Sequence, residues 1–359
     1  MSARRWRDTL SESVPGTLLL RLLSGFYWTG VFLRNAAYSA GLLPSRKLEA
    51  RVVCIGNLTT GGTGKTPAVL LAAQTLHEKG VKTAILSRGY KRPGGRASEV
   101  IVVQGSASHS WEEVGDEPWM MHRALKGCEI PILVGSDRIQ SGETALKYYS
   151  SQVILLDDGF QHRRLKRDED IVLLNAQDPF GGGHLLPLGD LREPPSSLRR
   201  ASIVVLTHAD RVPRERLDAL AEQVRLIRSD LPVLEAVHRP DMFLDLKTEE
   251  RRPLSHLQDK DAACLSGIGD PRSFEESVTS VGVTLKQTWR FPDHHPFSQD
   301  DLQSIENVRR GLPLLTTMKD FPRLPAGWKN RLGGEVLALL VRLEIVSGKD
   351  RWDSAMMGR

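Results

Sequence analysis

The apolar run Val52-Val53-Cys54-Ile55 is followed closely by Gly61-Gly62-Thr63-Gly64-Lys65-Thr66, and this order restricts the fold more than any other part of the sequence. A strand that passes through a glycine-rich turn into a helix-forming stretch belongs to a sheet with helices on its faces. Such a turn also has a chemical reading. Glycines let backbone N–H groups converge on phosphate oxygens, and the following helix directs its positive end at them. Lys65 can reach β- and γ-phosphates, and Thr66 can ligate Mg²⁺. The usual pattern G-x-x-x-x-G-K-[ST] would place its first glycine at 59, where Thr59 stands, followed by Thr60. The double glycine supplies the missing flexibility. Thr59, Thr60, Gly61, Gly62, Thr63, Gly64, Lys65 and Thr66 are therefore the expected cradle of a nucleoside triphosphate.

The surrounding sequence repeats this alternation. Strand-like runs fall at Val52 to Ile55, Thr83 to Leu86, Val100 to Val103, Ile130 to Val134, Val153 to Leu156, Ile171 to Leu174 and Ile203 to Leu206. Several are continuously apolar, as in strands covered on both faces. Helices are expected over Lys65 to Glu78, Glu117 to Lys126, Arg138 to Tyr148 and Arg214 to Ile227. The rhythm restarts after His238, with strands at Ala262 to Ser266, Val283 to Arg290, Pro313 to Thr316 and Val336 to Leu343, and helices from Pro271 to Val281 and Gln299 to Arg310. The expected fold is α/β, a P-loop NTPase-like, mostly parallel sheet flanked by helices. Its predicted units are an N-terminal helical segment (1–45), a nucleotide-binding domain (46–237) and a smaller C-terminal α/β domain (238–359) that closes the cleft.

A chain of 359 residues with 40% hydrophobic content is long enough for two such domains. The net charge of +5 favours acidic partners without choosing among phosphorylated metabolites, anionic lipid and nucleic acid. Cys54, Cys128 and Cys264 are scattered and odd in number, which argues against a disulfide framework or zinc site and for a reducing compartment.

At the N-terminus, LLLRLLSGFYWTGVFL (18–33) is interrupted only by Arg21 and closed by Arg34, with Arg4, Arg5 and Arg7 upstream. Its uncharged part, Leu22 to Leu33, is 12 residues, short of the ~20 that a helix needs to cross a bilayer. No signal-peptide cleavage site follows. The segment reads as a helix in the membrane interface, with Phe26, Tyr27 and Trp28 at headgroup level. A helix buried against the sheet is the alternative.

Val153-Ile154-Leu155-Leu156 delivers Asp157 and Asp158 to the carboxyl end of a strand, where ligands of open α/β sheets bind and where a P-loop enzyme holds its metal. Asp116 and Glu117 stand at a helix start, which by itself suits capping. Asp293-His294-His295, between Phe291-Pro292 and Pro296-Phe297, offers proton carriers in a proline-stiffened loop, or a solvated histidine pair. The charge run Arg163 to Arg167 reads as a solvated face. Arg192 lies in a Gly/Pro-bounded loop and could stabilise charge on a transferring phosphoryl group.

Together these segments resemble one family, the tetraacyldisaccharide 4'-kinases of Gram-negative bacteria. GNLTTGGTGKTP, SRGYKR, GDEP, LDDGFQHRRLKRD, LLPLGDLREP and FPDHHPF occur in order over most of the chain, and the family shares the departure at the first glycine. The resemblance implies ATP- and Mg²⁺-dependent phosphorylation of the 4'-hydroxyl of a tetraacylated glucosamine disaccharide 1-phosphate, yielding lipid IVA. It implies Thr66, Asp157 and Asp158 at the metal, Asp116 as base, His294 rather than His295 as its support, and Lys65 and Arg192 at the phosphates. Arg88, Tyr90, Glu117, Arg138 and His162 would meet the lipid substrate. The implied place is the cytoplasmic face of the inner membrane, held peripherally, with no nucleic acid and no obligate protein partner.

Two other classes remain open on sequence alone. Thr207-His208-Ala209-Asp210 is similar to the [NT]KxD element of GTPases and metal-centre insertases, with His208 in the lysine place. A non-catalytic membrane tether could bind nucleotide only structurally.

Overall fold

The computed structural model describes residues 7, 9–89, 99–105 and 109–358. Its strands are β1 (Arg51–Asn57), β2 (Thr83–Ser87), β3 (Ile101–Val103), β4 (Ile132–Val134), β5 (Val153–Asp157), β6 (Glu169–Asn175), β7 (Ile203–Thr207), β8 (Val233–Asp245), β9 (Arg251–Arg252), β10 (Asp261–Ser266), β11 (Thr284–Arg290), β12 (Leu314–Thr317) and β13 (Val336–Ser347). They form one 13-stranded sheet in the order β11-β10-β12-β13-β8-β7-β6-β1-β5-β2-β4-β3, with β9 on β8 outside that path. In the P-loop half, β1 lies parallel between β5 and β6, and β2, β4 and β7 continue the parallel run.

Alternation is present in these continuously apolar strands but hidden, because both faces are covered. On β5, Ile154 and Leu156 join one core with Cys54, Phe160 and Val172. Val153 and Leu155 join the opposite core with Val53, Ile55, Ala72 and Leu76 of the helix Lys65–Glu78. The helices Lys65–Glu78 and Arg214–Ile227 fall where sequence placed them.

The long strand β8 had no counterpart in the sequence reading. It starts parallel to β7 and then pairs antiparallel with β13, so one ribbon joins both halves of the sheet. Residue 238, the expected domain boundary, lies inside this strand. The C-terminal helix Lys349–Met357 packs back on the P-loop half, where Trp352, Ala355 and Met356 enter the core of Val53 and Leu76.

The N-terminal helix runs from Val14 to Ser39, 26 residues, capped by Ser13, whose side chain accepts from the Gly16 N–H. This corrects the length argument above. The helix is long and apolar enough to cross a membrane, because Arg21 and Arg34 are accommodated within it. It is not the buried helix of the alternative reading, since only 11% of its most apolar window is covered. One face, at Leu20, Ser24, Tyr27, Val31 and Arg34, recurs at helical spacing and meets the body. Leu20 and Val31 are buried, and Ser24 Oγ donates to Leu185 O at 3.0 Å. Tyr27 Oη donates to Arg192 O at 3.0 Å, and Arg34 reaches the fully buried Glu193 at 2.8 Å. Leu18, Leu22, Phe26 and Leu33, on the other side, are exposed.

Candidate active site

The glycine turn follows β1 without interruption. Asn57 Nδ2 donates to Thr63 Oγ1 at 2.9 Å, and Thr207 Oγ1 at the end of β7 donates to Thr63 O at 3.1 Å. Thr60 is tied by its N–H and hydroxyl to Asp190, and Thr59 bridges to Leu191. Gly64 has φ 81°, and a Cβ there would lie 2.6 Å from the His238 ring, so the position requires glycine. A Cβ at Gly61 or Gly62 would meet nothing within 4 Å, which leaves open space over the turn for phosphate.

Beside this cradle, Lys65 Nζ lies 3.9 Å from Asp158 Oδ1, and Arg192 donates to both oxygens of Asp158 at 3.0 and 2.8 Å. Burial alone would raise the Asp158 carboxyl, but Lys65 and Arg192 reverse this and hold it below the usual carboxylate range. Asp157 is buried and accepts from Ser87 Oγ at 3.0 Å. Burial, then the charges of Glu117 and Asp158, push it up to about 7. Burial also raises Glu117, with Lys65 opposing and Asp116 reinforcing. No group of three or more His, Cys, Asp or Glu able to hold a metal ion occurs among the described residues. Asp157, Asp158 and the Thr66 hydroxyl are nevertheless hard oxygen donors beside the cradle, and one or two carboxylates with substrate phosphates are what Mg²⁺ usually takes, so the residues fit Mg²⁺.

Asp116 opens the helix Asp116–Ala124. Its Oδ1 accepts from the Glu117 N–H at 3.0 Å, and its Oδ2 accepts from Arg323 at 3.2 Å. The same Arg323 nitrogen donates to His294 Nδ1 at 2.8 Å. His294 sits at φ 63°. His295 is engaged in its own half instead, 3.1 Å from Asp301 and stacked on Phe291 at 4.6 Å. Arg323 was absent from the sequence reading. The only available signal was an arginine shortly after a strand end, which is common.

Arg88 is exposed just beyond β2, while Arg138 is buried, donating to Gly135 O at 2.6 Å and Asp157 O at 3.5 Å. Burial lowers Arg138 to about 10. Burial and then the charge of Arg138 lower the neighbouring His162 to about 4. Tyr90 lies outside the described residues. Arg163 and Arg167 are not simply solvated: Arg163 donates to Asn35 O at 2.8 Å, and Arg167 pairs with Asp170 at 2.9 Å. His208 stacks on His238 with centroids 4.1 Å apart, beside Gly64.

An enzyme that moves a phosphoryl group from a nucleotide is the class that this cradle and its charges define. The pattern of the family described as tetraacyldisaccharide-1-P 4'-kinase matches residues 16–358, and the chain belongs to that family. It is 43% identical over 353 residues to the tetraacyldisaccharide 4'-kinase of Elusimicrobium minutum, covering 98% of this chain and 94% of that one. The enzyme of Syntrophus aciditrophicus is 38% identical over 354 residues, with 95% and 94% covered. A crystal structure of LpxK from Aquifex aeolicus in complex with ATP superposes with a TM-score of 0.77 at 31% identity, covering 95% of this chain and 98% of that one. Family membership sets aside the GTPase and tether readings.

Proposed function

We infer that this kinase transfers the γ-phosphate of ATP to the 4'-hydroxyl of a tetraacylated glucosamine disaccharide 1-phosphate, forming lipid IVA, with Asp116 as general base. The carboxylate takes the hydroxyl proton as that oxygen forms its bond to the γ-phosphorus. The bond from the γ-phosphorus to its bridging oxygen breaks, and ADP leaves. Lys65 and Arg192 oppose the charge on the transferring group. When bound at Thr66, Asp157 and Asp158, Mg²⁺ would supply further charge neutralisation to the triphosphate. Arg88 and Arg138 form a positive margin suited to the sugar phosphate, with Arg138 acting from beneath, and the neutral His162 beside Arg138 offers a hydrogen bond rather than charge.

The observation that supports this reading best is that the helix opened by Asp116 packs against the helix opened by Lys65. Asp116→Ala should still bind ATP, measured by calorimetry, while mass spectrometry of the acceptor after incubation with ATP and Mg²⁺ shows no added phosphate. Full turnover in that variant would remove Asp116 from the role.

The N-terminal helix supports peripheral attachment at the inner leaflet. Its docked face is hydrogen-bonded to the loop carrying Arg192, so the helix stays alongside the body and offers Leu18, Leu22, Phe26 and Leu33 to the interface. The half beyond β8 brings His294 and Arg323 to the base, which supports a role for it in closing the cleft.

A further inference from the structure

We propose that Arg323 is the positioning residue that locks the base carboxylate of the P-loop half to His294 of the other half. The inference rests on Asp116 being the base.

Arg323 ends the short turn Phe321–Arg323 beyond β12, and its side chain is only 8% exposed. The two ends of its guanidinium face different ways. Nη1 lies 3.3 Å from Gly267 O and 3.5 Å from Asp320 Oδ1, both in the half that carries Arg323. Asp320 is fully buried and held by Thr317 Oγ1 at 2.7 Å and by the Gly267 N–H at 3.1 Å. That end is therefore a fixed anchor. Nη2 carries two hydrogens and has two acceptors, Asp116 Oδ2 at 3.2 Å and His294 Nδ1 at 2.8 Å.

This division has chemical consequences. Asp116 Oδ1 is already held by the Glu117 N–H, so the Arg323 bond fixes the second oxygen and with it the rotation of the carboxylate about its bond to Cβ. A histidine nitrogen that accepts from a guanidinium carries no proton, because a guanidinium only donates. His294 is thereby set as the neutral tautomer with its proton on Nε2. One planar group joins residues 207 positions apart, from the start of one helix to a turn behind another strand. A lysine has no rigid fork with which to hold an anchor and present two aligned hydrogens. The base is therefore aligned only while the two halves are seated together.

The test uses the full chain with ATP, Mg²⁺ and detergent-dispersed acceptor. Arg323→Lys retains the positive charge beside Asp320, so the fold keeps its buried pair. A misplacement of about 1 Å at a reacting group costs on the order of 10²-fold, so kcat should fall about 10- to 100-fold while the Kd for ATP changes less than about threefold. In a His294→Ala background the same substitution should cost less than about threefold more, because both act on one carboxylate. Arg323→Ala should regain part of its kcat when guanidinium is added to the solution.

Retention of kcat within about twofold in Arg323→Lys, a loss explained by weaker ATP binding, or additive losses in the double variant would each overturn the proposal. Loss of turnover in Asp116→Ala alongside an unaffected Arg323→Lys would refute the lock and leave the base in place. Full turnover in Asp116→Ala would refute the base itself.

Discussion

Arg192 and Asp158, 34 residues apart, are joined by two hydrogen bonds of 3.0 and 2.8 Å at the edge of the glycine turn. With Lys65 also 3.9 Å from the same carboxylate, two cations converge on one acid beside the space that phosphate would fill. Arg192 is held in turn from outside the site: its carbonyl accepts from Tyr27, and its N–H donates to Leu58 O at 2.7 Å.

Removing this arginine should therefore impair chemistry far more than folding. Arg192→Ala is expected to lower kcat by on the order of 10³-fold, since a group opposing charge on the transferring phosphoryl acts mainly in the transition state. Arg192→Lys should recover only part of this, because the shorter, point-like ammonium cannot hold Asp158 with one nitrogen, as Nη1 does, and keep a second nitrogen for the phosphoryl group. Steady-state kinetics with saturating ATP check both.

Two partly buried histidines make stability pH-dependent. Burial lowers His162 to about 4 and His238 to about 3, so both are neutral in the folded chain. The unfolded chain takes up these protons near the ordinary histidine pKa of about 6.5. Below that pH the unfolded state binds more protons, and stability falls through the window from 6.5 towards 4 for His162 and towards 3 for His238. The slope is at most about 1.4 kcal/mol per pH unit for each histidine. Denaturant midpoints measured from pH 7 to 4.5 should decline, and His238→Gln should flatten the decline. An unchanged slope in that variant would contradict the assignment.

The C-terminal helix should be a structural element of the P-loop half. Trp352 is 1% exposed within its core, so Trp352→Ala should cost about 3–5 kcal/mol in chemical denaturation. A cost below about 1 kcal/mol would mean that the helix does not dock there.

Membrane attachment should depend on the outward face of the N-terminal helix alone. Leu22→Glu combined with Phe26→Glu changes residues that are 59% and 68% exposed and leaves Tyr27 and Arg34 in place. The double variant should no longer sediment with anionic vesicles, yet should keep turnover on detergent-dispersed acceptor within about threefold. Unchanged sedimentation would rule out this face as the anchor.

The second half shows where reading the sequence fails. β8 carries Arg239-Pro240-Asp241 in its middle, a stretch that reads as a turn. In the structure Pro240 sits beside an irregularity of the β8–β13 pairing, where a missing N–H is tolerated. Gly348 and the helix after it likewise gave no sign of which half they would join, because the partners of Trp352 lie near residues 53 and 76.

The P-loop half was legible because its information is local. An apolar strand, the glycines that a φ of 81° demands, Lys65 and the acid pair ending β5 all follow one another in the chain, and each obeys short-range steric and hydrogen-bonding rules. Only the tertiary structure decided that Arg192 faces Asp158, that Arg138 lies beneath Asp157 rather than open to solvent, and that Arg323 meets both Asp116 and His294. Those contacts depend on how one long β-ribbon sets two groups of strands against each other. No spacing along the chain encodes that relation.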